Sequence, residues 1–278
     1  MSCIGLVDAI AKQLTSSLNG VQVAWSYFVA ILVLLLGFSL AREKGNARRV
    51  LVGFRTRRLA LQIIRACCLV ASLSLLFYSL SYLELAVATV VSFTAPLFVV
   101  ALASPLLGEQ VSTQRWLAVC LGLCGAVIVA RPGAGVFGWA ALLPLVSALF
   151  FSLFHLITRK LHNTETAVAT LFYTFFIGSL ILSAAMPAVW RSMSAADIAL
   201  SALNGFLGIV AHGALVRSLS LADASMLAPL NYLRLIWAIG LGFLLFGEVP
   251  DGFTLLGGAI IAGSGLYVVY SASRAVDG

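Results

Sequence analysis

The sequence predicts an all-α membrane protein whose helices cross the bilayer many times. Hydrophobic residues make up 62% of the 278 residues, and charged residues make up only 10%. Soluble domains carry about 25% charged residues, so this chain has too little polar material to cover a surface that faces water. Apolar windows of about 20 residues, the length that spans a bilayer, follow one another almost without interruption. We therefore expect a polytopic helical protein in contact with lipid.

Ten transmembrane helices are predicted, with turn residues between them. The turns include Asn19-Gly20, Arg131-Pro132-Gly133 and the stretch from Gly247 to Gly252 with Pro250. In numbers, the segments are about 1–15, 21–41, 59–80, 85–106, 116–131, 137–157, 166–187, 198–217, 224–246 and 253–272. Because only eleven residues precede Lys12, the first segment is either short and partly re-entrant or lacks some N-terminal residues.

The basic residues predict the orientation, because Lys and Arg concentrate in cytoplasmic loops. The connection between the second and third segments holds seven of them: Arg42, Lys44, Arg48, Arg49, Arg55, Arg57 and Arg58. If this loop is cytoplasmic, twelve basic residues lie on that side and three near the other face. Both termini are then cytoplasmic in a bacterial inner membrane. A lipid-headgroup or partner site is the alternative interpretation of the loop, and no nucleic-acid partner is expected.

A short phrase recurs at half the chain length. Gly108-Glu109 returns as Gly247-Glu248, and the same offset places Ser79-Leu80-Ser81 on Ser218-Leu219-Ser220. An offset of five helices is odd, so the second copy must cross the membrane in the opposite sense. The pattern predicts two inverted halves, residues 1–131 and 137–274, as in secondary transporters, although some channels share this symmetry. The glutamates of the phrase are interpreted as helix caps, with a gate or coupling role as the alternative.

The same runs carry a family resemblance. The stretch "SLSYLELAVATVVSFTAPLF", followed by "LLGEQVSTQRW" and "GAVIVARPG", is echoed by "SLADASMLAPLNY", "LFGEVPD" and "GLYVVYS". Together they resemble the EamA family of the drug/metabolite transporter superfamily over nearly the whole chain. The resemblance implies a ten-helix carrier with a central cavity lined by segments 1, 3, 4, 6, 8 and 9. Family members move amino acids, nucleotide-like cofactors, riboflavin or amphiphilic compounds.

The predicted function is secondary active transport of a small organic metabolite by alternating access, with proton coupling left open. Amino acids, riboflavin-like rings and nucleoside-cofactor-like molecules are the candidate substrates, and import is not distinguished from export. The sequence has no nucleotide-binding loop, metal-ligand cluster or nucleophile motif, so no enzymatic activity, cofactor or metal is predicted. A channel or sensor without alternating access, and an intramembrane enzyme acting on a lipid-linked substrate, are the alternatives.

Polar residues within the spans are the candidate substrate-binding groups, because such groups are costly in a bilayer. Arg234 lies deepest, and its alternative role is a structural ion pair. Arg65 either reaches the interface or counters an anionic substrate group. Pro96 and Pro229 are each expected to bend a helix next to a group of candidates. The remaining candidates are Asn231, Tyr232, Trp237, Ser92, Phe93, Thr94, Tyr78, His155, His212 and Asn204.

Asp8 and His212 are the candidate coupling residues, because each can exchange a proton. Asp8 stands four residues before Lys12, so a simple pair within the helix is the alternative. Aromatic residues near span ends are interpreted as interfacial anchors: Trp25, Tyr27, Tyr78, Tyr82, Trp139, Trp190, Tyr267 and Tyr270. Small-residue stripes predict close helix packing or a homodimer contact: Ala118, Gly122 and Ala126, and Gly257, Ile261 and Gly265.

Overall fold

A computed structural model describes residues 2–107, 113–130, 139–161, 164–219 and 233–274, and these are helical with no strand among them. In chain order the helices are α1 Ser2–Leu14, α2 Gly20–Arg42, α3 Ala47–Gly53, α4 Leu59–Ser79, α5 Leu85–Ser92, α6 Ala95–Leu107, α7 Thr113–Ala130, α8 Leu142–Leu161, α9 Ala167–Val189, α10 Ala195–Leu219, α11 Leu233–Phe246 and α12 Gly252–Arg274.

Several of these helices have the length and composition of membrane spans. Six meet both criteria: α2, α4, the α5–α6 stretch Leu85–Leu102, α8, α9 and the first part of α10. Shorter apolar helices lie within α7, α11 and α12. The chain is therefore a multi-pass membrane protein, as the composition predicts. The short helix α3 lies within the basic loop, where Asn46 caps it by accepting from the Arg49 amide at 3.2 Å.

The predicted fourth segment is a broken helix. Helix α5 ends at Ser92 and α6 begins at Ala95, so the break lies just before Pro96. Proline has no amide hydrogen, and its ring clashes with the carbonyl four residues earlier, which here belongs to Ser92. Ser152 on α8 donates to the Ala95 carbonyl at 2.8 Å and supports the break from outside the helix. Discontinuous helices of this kind are common in transporters.

The contacts between helices come in matching pairs. The contact of α4 with α8 corresponds to the contact of α10 with α1. The contact of α2 with α10 corresponds to the contact of α9 with α4. Helix α1 contacts α11, and α8 correspondingly contacts α5 and α6.

Helices α7 and α12 pack closely through the small-residue stripes. A Cβ on Gly125 would lie 2.9 Å from the Gly257 carbonyl oxygen, and one on Gly257 would lie 2.6 Å from the Gly125 oxygen. Ile261 is fully buried between the two helices. The predicted scaffold packing is present. Since these faces are occupied within one chain, a homodimer would need a different surface.

Contacts between loops define the two ends of the bundle. The Arg57 amide, just before α4, donates to Glu165, just before α9, at 2.8 Å. Gln22, in the first turn of α2, exchanges two hydrogen bonds of 2.8 and 2.9 Å with the Arg191 main chain after α9. The basic loop and the start of α9 therefore share one end, and the start of α2 lies at the other.

Candidate functional site

A buried ion pair joins the first and second halves of the chain. Arg234 on α11 donates from Nε to Asp8 Oδ2 on α1 at 2.6 Å. Asp8 is 4% exposed, so its charge is shielded from water and needs a counter-charge. The alternative of an Asp8–Lys12 pair is wrong, because Lys12 bonds elsewhere. Arg234 is predicted to bind substrate or, alternatively, to form a structural ion pair, and the geometry shows the ion pair.

Helices α1 and α11 approach closely one turn away from this pair. A Cβ on Gly5 would lie only 2.6 Å from the Trp237 Cβ, so the contact requires glycine. Trp237 follows Arg234 by three residues, and Gly5 precedes Asp8 by three, so the two contacts lie on the same helix faces. Trp237 remains 39% exposed. Its indole therefore keeps a surface that is available for stacking.

Tyr27 and His212 form a second polar contact in the interior. Tyr27 Oη lies 3.4 Å from His212 Nε2, and the Phe175 ring packs edge-on against His212. Tyr27 is buried and lies near enough to Asp8 and Arg234 for both charges to act on its hydroxyl. Gly208 makes room, because a Cβ there would meet the Tyr27 hydroxyl at 2.6 Å.

The interpretation of Tyr27 as an interfacial anchor is wrong. It lies two turns inside α2, and that depth was the signal available in the sequence. Among the described residues, this hydroxyl is the hydrogen-bond partner of His212.

Arg65 lies buried between α4, α8 and α9. Its Nε donates to Thr158 Oγ1 at 2.6 Å and its Nη1 to the Thr170 carbonyl at 3.1 Å, with a further bond to Thr174 Oγ1. Its guanidinium also lies 4.2 Å above the Phe154 ring centre. Arg65 does not reach the interface, since it is 4% exposed. Of its two predicted roles, only the interior one fits this placement.

His155 is an exposed residue of α8 that lies beside the Arg65 site. Its ring packs on Phe151 and Phe154, with centroids 4.5 and 5.8 Å away. The Arg65 guanidinium packs on the same Phe154 ring, and His212 lies against Tyr27. The structure thus brings five predicted residues and Tyr27 into one polar centre.

A second ion pair closes one end of the bundle. Lys12 at the end of α1 bonds to Glu248, and its Nζ also donates to the Leu83 carbonyl at 2.8 Å. The other Glu248 oxygen accepts from the Leu85 amide at 2.9 Å. This arrangement, which we call the latch, is defined by Lys12, Leu83, Leu85 and Glu248. It ties α1 and the α4–α5 turn to the α11–α12 loop.

Glu248 caps a different helix from the one that its sequence position predicts. It reaches the first amide of α5, whereas Asp251 caps α12 by accepting from the Thr254 amide at 2.9 Å. Glu84 occupies the N-cap position of α5, but its side chain makes no capping bond there. Gly247 turns the chain at a φ of 67°, which glycine adopts without strain and which directs Glu248 toward α5.

Three candidates on the broken helix do not enter the polar centre. Ser92 donates to the Ala88 carbonyl at 2.7 Å, and Thr94 donates to the Val91 carbonyl at 2.8 Å. Phe93 is buried in the hydrophobic core. Their prediction as substrate contacts is not supported in this conformation, because hydroxyls close to a breaking helix satisfy the local backbone first.

Tyr78 belongs to an aromatic cluster at the end of α4. Tyr82 donates to the Tyr78 hydroxyl at 2.9 Å and packs on Trp139 with centroids 5.1 Å apart. This hydrogen bond raises the pKa of the Tyr82 hydroxyl, because it stabilises the neutral donor. Tyr78 therefore lies in a cluster of the rings that the sequence analysis interprets as interfacial anchors, and its described contacts do not link it to the polar centre.

Asn204 on α10 is fully buried, and neither its amide nitrogen nor its oxygen has a partner in the described chain. It therefore makes none of the interhelical bonds expected of a structural asparagine.

Asn231 and Tyr232 lie outside the described residues. Within the described chain, no group of three metal-ligating side chains is present. An apolar cavity of about 210 Å³ lies between α5, α11 and α12 and is lined mainly by Val, Leu, Ile and Ala. None of the residues of the polar centre lines it.

Comparisons with known proteins place these features in context. The model of the EamA-like transporter family matches residues 1–131 and 138–271. The S-adenosylmethionine uptake transporter of Rickettsia bellii is 29% identical over 270 residues, 97% of this chain and 90% of the relative. The riboflavin transporter of Rhizobium johnstonii is 34% identical over 182 residues, 65% of this chain and 60% of the relative.

More distant similarity extends over most of the chain. The pseudopaline exporter of Pseudomonas aeruginosa is 22% identical over 261 residues, 92% of this chain and 88% of the relative. One solved crystal structure superposes on all of this chain and 96% of its own with a TM-score of 0.66 at 18% identity, which indicates a shared fold alone.

Proposed function

The chain belongs to the EamA-like transporter family, and we propose that it is a secondary active transporter that moves a small organic metabolite by alternating access. The observation that carries this function is the buried Asp8–Arg234 pair, which joins the two halves beside the Gly5–Trp237 contact. Charged groups in the interior of a membrane protein mark substrate or ion pathways.

The relatives guide the choice of substrates. Two of them are named for S-adenosylmethionine and riboflavin, which both carry a flat ring system. The exposed indole of Trp237 and the phenylalanine rings around His155 suit such rings. We therefore propose a nucleoside-cofactor-like or riboflavin-like metabolite as the substrate, with an amino acid as the alternative.

Alternating access requires two halves that exchange conformations. We propose ten transmembrane helices in two inverted halves, residues 1–131 and 137–274, and the matching helix contacts support this assignment. The latch holds one end of the bundle closed. With the basic loop in the cytoplasm of a bacterial inner membrane and both termini there, the latch lies at the outer face, so this conformation is closed to the outside.

Proton coupling follows from the chemistry of the central ion pair. Protonation of Asp8 cancels its negative charge and leaves Arg234 without a partner in the described chain. The α1–α11 contact then loses its electrostatic attraction, and this favours a different arrangement of the two halves. His212 lies close to the same groups through Tyr27 and provides a second proton acceptor.

Counterflow in proteoliposomes tests the proposed function. Purified protein is reconstituted with unlabelled S-adenosylmethionine or riboflavin inside, and uptake of the labelled compound is followed. A carrier accelerates uptake when substrate is present on the far side. A channel gives no such acceleration, and an enzyme changes the recovered molecule; either result would contradict the proposal.

A further inference from the structure

Arg65 carries a positive charge that no described carboxylate balances. Its hydrogen-bond partners are the hydroxyls of Thr158 and Thr174 and the Thr170 carbonyl, all of them neutral. Asp8 is bonded to Arg234 and Glu248 to Lys12, while Glu165 lies at the loop end of the bundle on the Arg57 amide. A buried arginine without a counter-ion is costly, so its retention calls for an explanation.

The contacts fix the guanidinium in one orientation. Three hydrogen bonds hold Nε and Nη1, and the Phe154 ring lies against one face of the group. The Nη2 atom makes no hydrogen bond to a described residue, yet it is not one of the enclosed polar atoms that lack a partner, so it is accessible. One donor of the fork is therefore held in place and left open. A preorganised donor of this kind binds a partner with little loss of side-chain freedom.

Two histidines face the same region. His155 lies beside Phe154, the ring on which the Arg65 guanidinium packs, and His212 approaches from α10, where it contacts Tyr27 and Phe175. A neutral imidazole offers one N–H donor, and a protonated one offers two. The charges of Asp8 and Arg234 already cancel each other, which leaves Arg65 as the unbalanced charge of the described polar centre.

We propose that Arg65, together with His155 and His212, binds an oxyanion of the transported molecule, either a carboxylate or a phosphate ester. The inference rests on the proposed transport function and narrows its substrate class. Arginine recognises both groups through charge-assisted hydrogen bonds. In this arrangement Arg65 binds the substrate anion, whereas Arg234 belongs to the ion pair that responds to protons.

Two pairs of probes test the oxyanion site and separate its two sources. Riboflavin and riboflavin 5′-phosphate differ by a phosphate, and S-adenosylmethionine and its methyl ester differ by a carboxylate. Binding to the purified protein is measured by flavin fluorescence for the first pair and by isothermal titration for the second. We expect wild type to bind the anionic member of at least one pair about tenfold or more tightly than its neutral counterpart.

Arg65→Gln removes the charge and is expected to abolish the preference, whereas Arg48→Gln on the exposed helix α3 keeps it. A second comparison guards against misfolding of the first variant. In Thr174→Asp the new carboxylate lies beside Arg65 and takes the place of the substrate anion, so the preference is lost. Its isosteric control Thr174→Asn alters the same position without adding a charge, so it must lose less of the preference than Thr174→Asp does.

Opposite results would overturn the inference. Equal binding of both members of each pair by wild type, or no binding of any, contradicts it, as does a preference that survives both Arg65→Gln and Thr174→Asp. Failure of counterflow in wild type would instead contradict the transport function. If counterflow occurs in wild type and Arg65→Gln with the same preference among the probes, the transport function stands and the oxyanion site is wrong.

Discussion

Asp8 and Arg234 lie 226 residues apart in the chain and form an ion pair of 2.6 Å between α1 and α11. Each is the deepest charged residue of its helix, and neither has another charged partner in the described structure. Because one member comes from each half of the chain, the strength of the pair affects how the halves fit together. The predictions begin with this contact.

Asp8→Asn is expected to uncouple transport from protons. The variant leaves Arg234 buried without a negative partner, which lowers the free energy of unfolding by about 3 kcal/mol. Uptake against a gradient, driven by an imposed proton gradient in proteoliposomes, is lost, while counterflow of the same substrate persists. The double variant Asp8→Asn/Arg234→Gln regains part of the stability without regaining proton-driven uptake. Accumulation at the wild-type rate by Asp8→Asn would contradict this role.

Gly5→Ala is expected to push α11 away from α1. The new methyl group would lie 2.6 Å from the Trp237 Cβ, so the helices must separate, at a cost of about 1–3 kcal/mol. Gly213→Ala on α10 is the matched control, because a Cβ there has nothing within 4 Å, and its effect is a stabilisation of about 0.5–1 kcal/mol. Thermal unfolding in detergent measures both, and equal stability of the two variants would refute the close contact.

Loss of the latch is expected to open the outer end of the bundle. The test starts from a variant whose native cysteines are replaced and that carries Leu83→Cys. Because position 83 is buried, this cysteine should react slowly with a membrane-impermeant maleimide added from outside. Adding Lys12→Met keeps the bulk of the side chain but removes the ammonium group that bonds Glu248 and the Leu83 carbonyl, so the end loosens and the reaction speeds severalfold. Tyr82→Cys, at an exposed position beside it, reacts rapidly in both backgrounds. Unchanged labelling of residue 83 would show that Lys12 does not close this end.

Labelling of two loops tests the inverted halves. Gln110→Cys and Val249→Cys stand half the chain length apart, so two inverted copies place them on opposite sides of the membrane. In intact cells an impermeant reagent should react with residue 249 and spare residue 110, and permeabilised cells should react at both. Labelling of both residues from one side would remove the basis for alternating access by exchange of two halves.

The sequence predicts the helices well and their partners poorly. Apolar windows locate nearly every span, and Pro96 marks the break before α6, because these signals depend on neighbouring residues alone. Arg65 and Arg234 are recognised as interior groups from the cost of burying a charge. The partners of these arginines are not recognised from the sequence. Spacing rules reach only one turn along a helix, so they pair Asp8 with Lys12. Packing instead pairs each of these residues with one from the other half of the chain.

The latch also makes the two proposed halves chemically unequal. The counterpart of Lys12 in the second half is Phe151, an uncharged residue that lies against His155 in the interior, so the second half has no lysine to mirror the first. If the halves alternate as proposed, opening the outer entrance means breaking a salt bridge that has no counterpart among the described residues at the other end. We therefore expect Lys12 to bias which way the empty carrier rests, and substitutions at position 12 to change that resting orientation without altering the groups that bind the substrate.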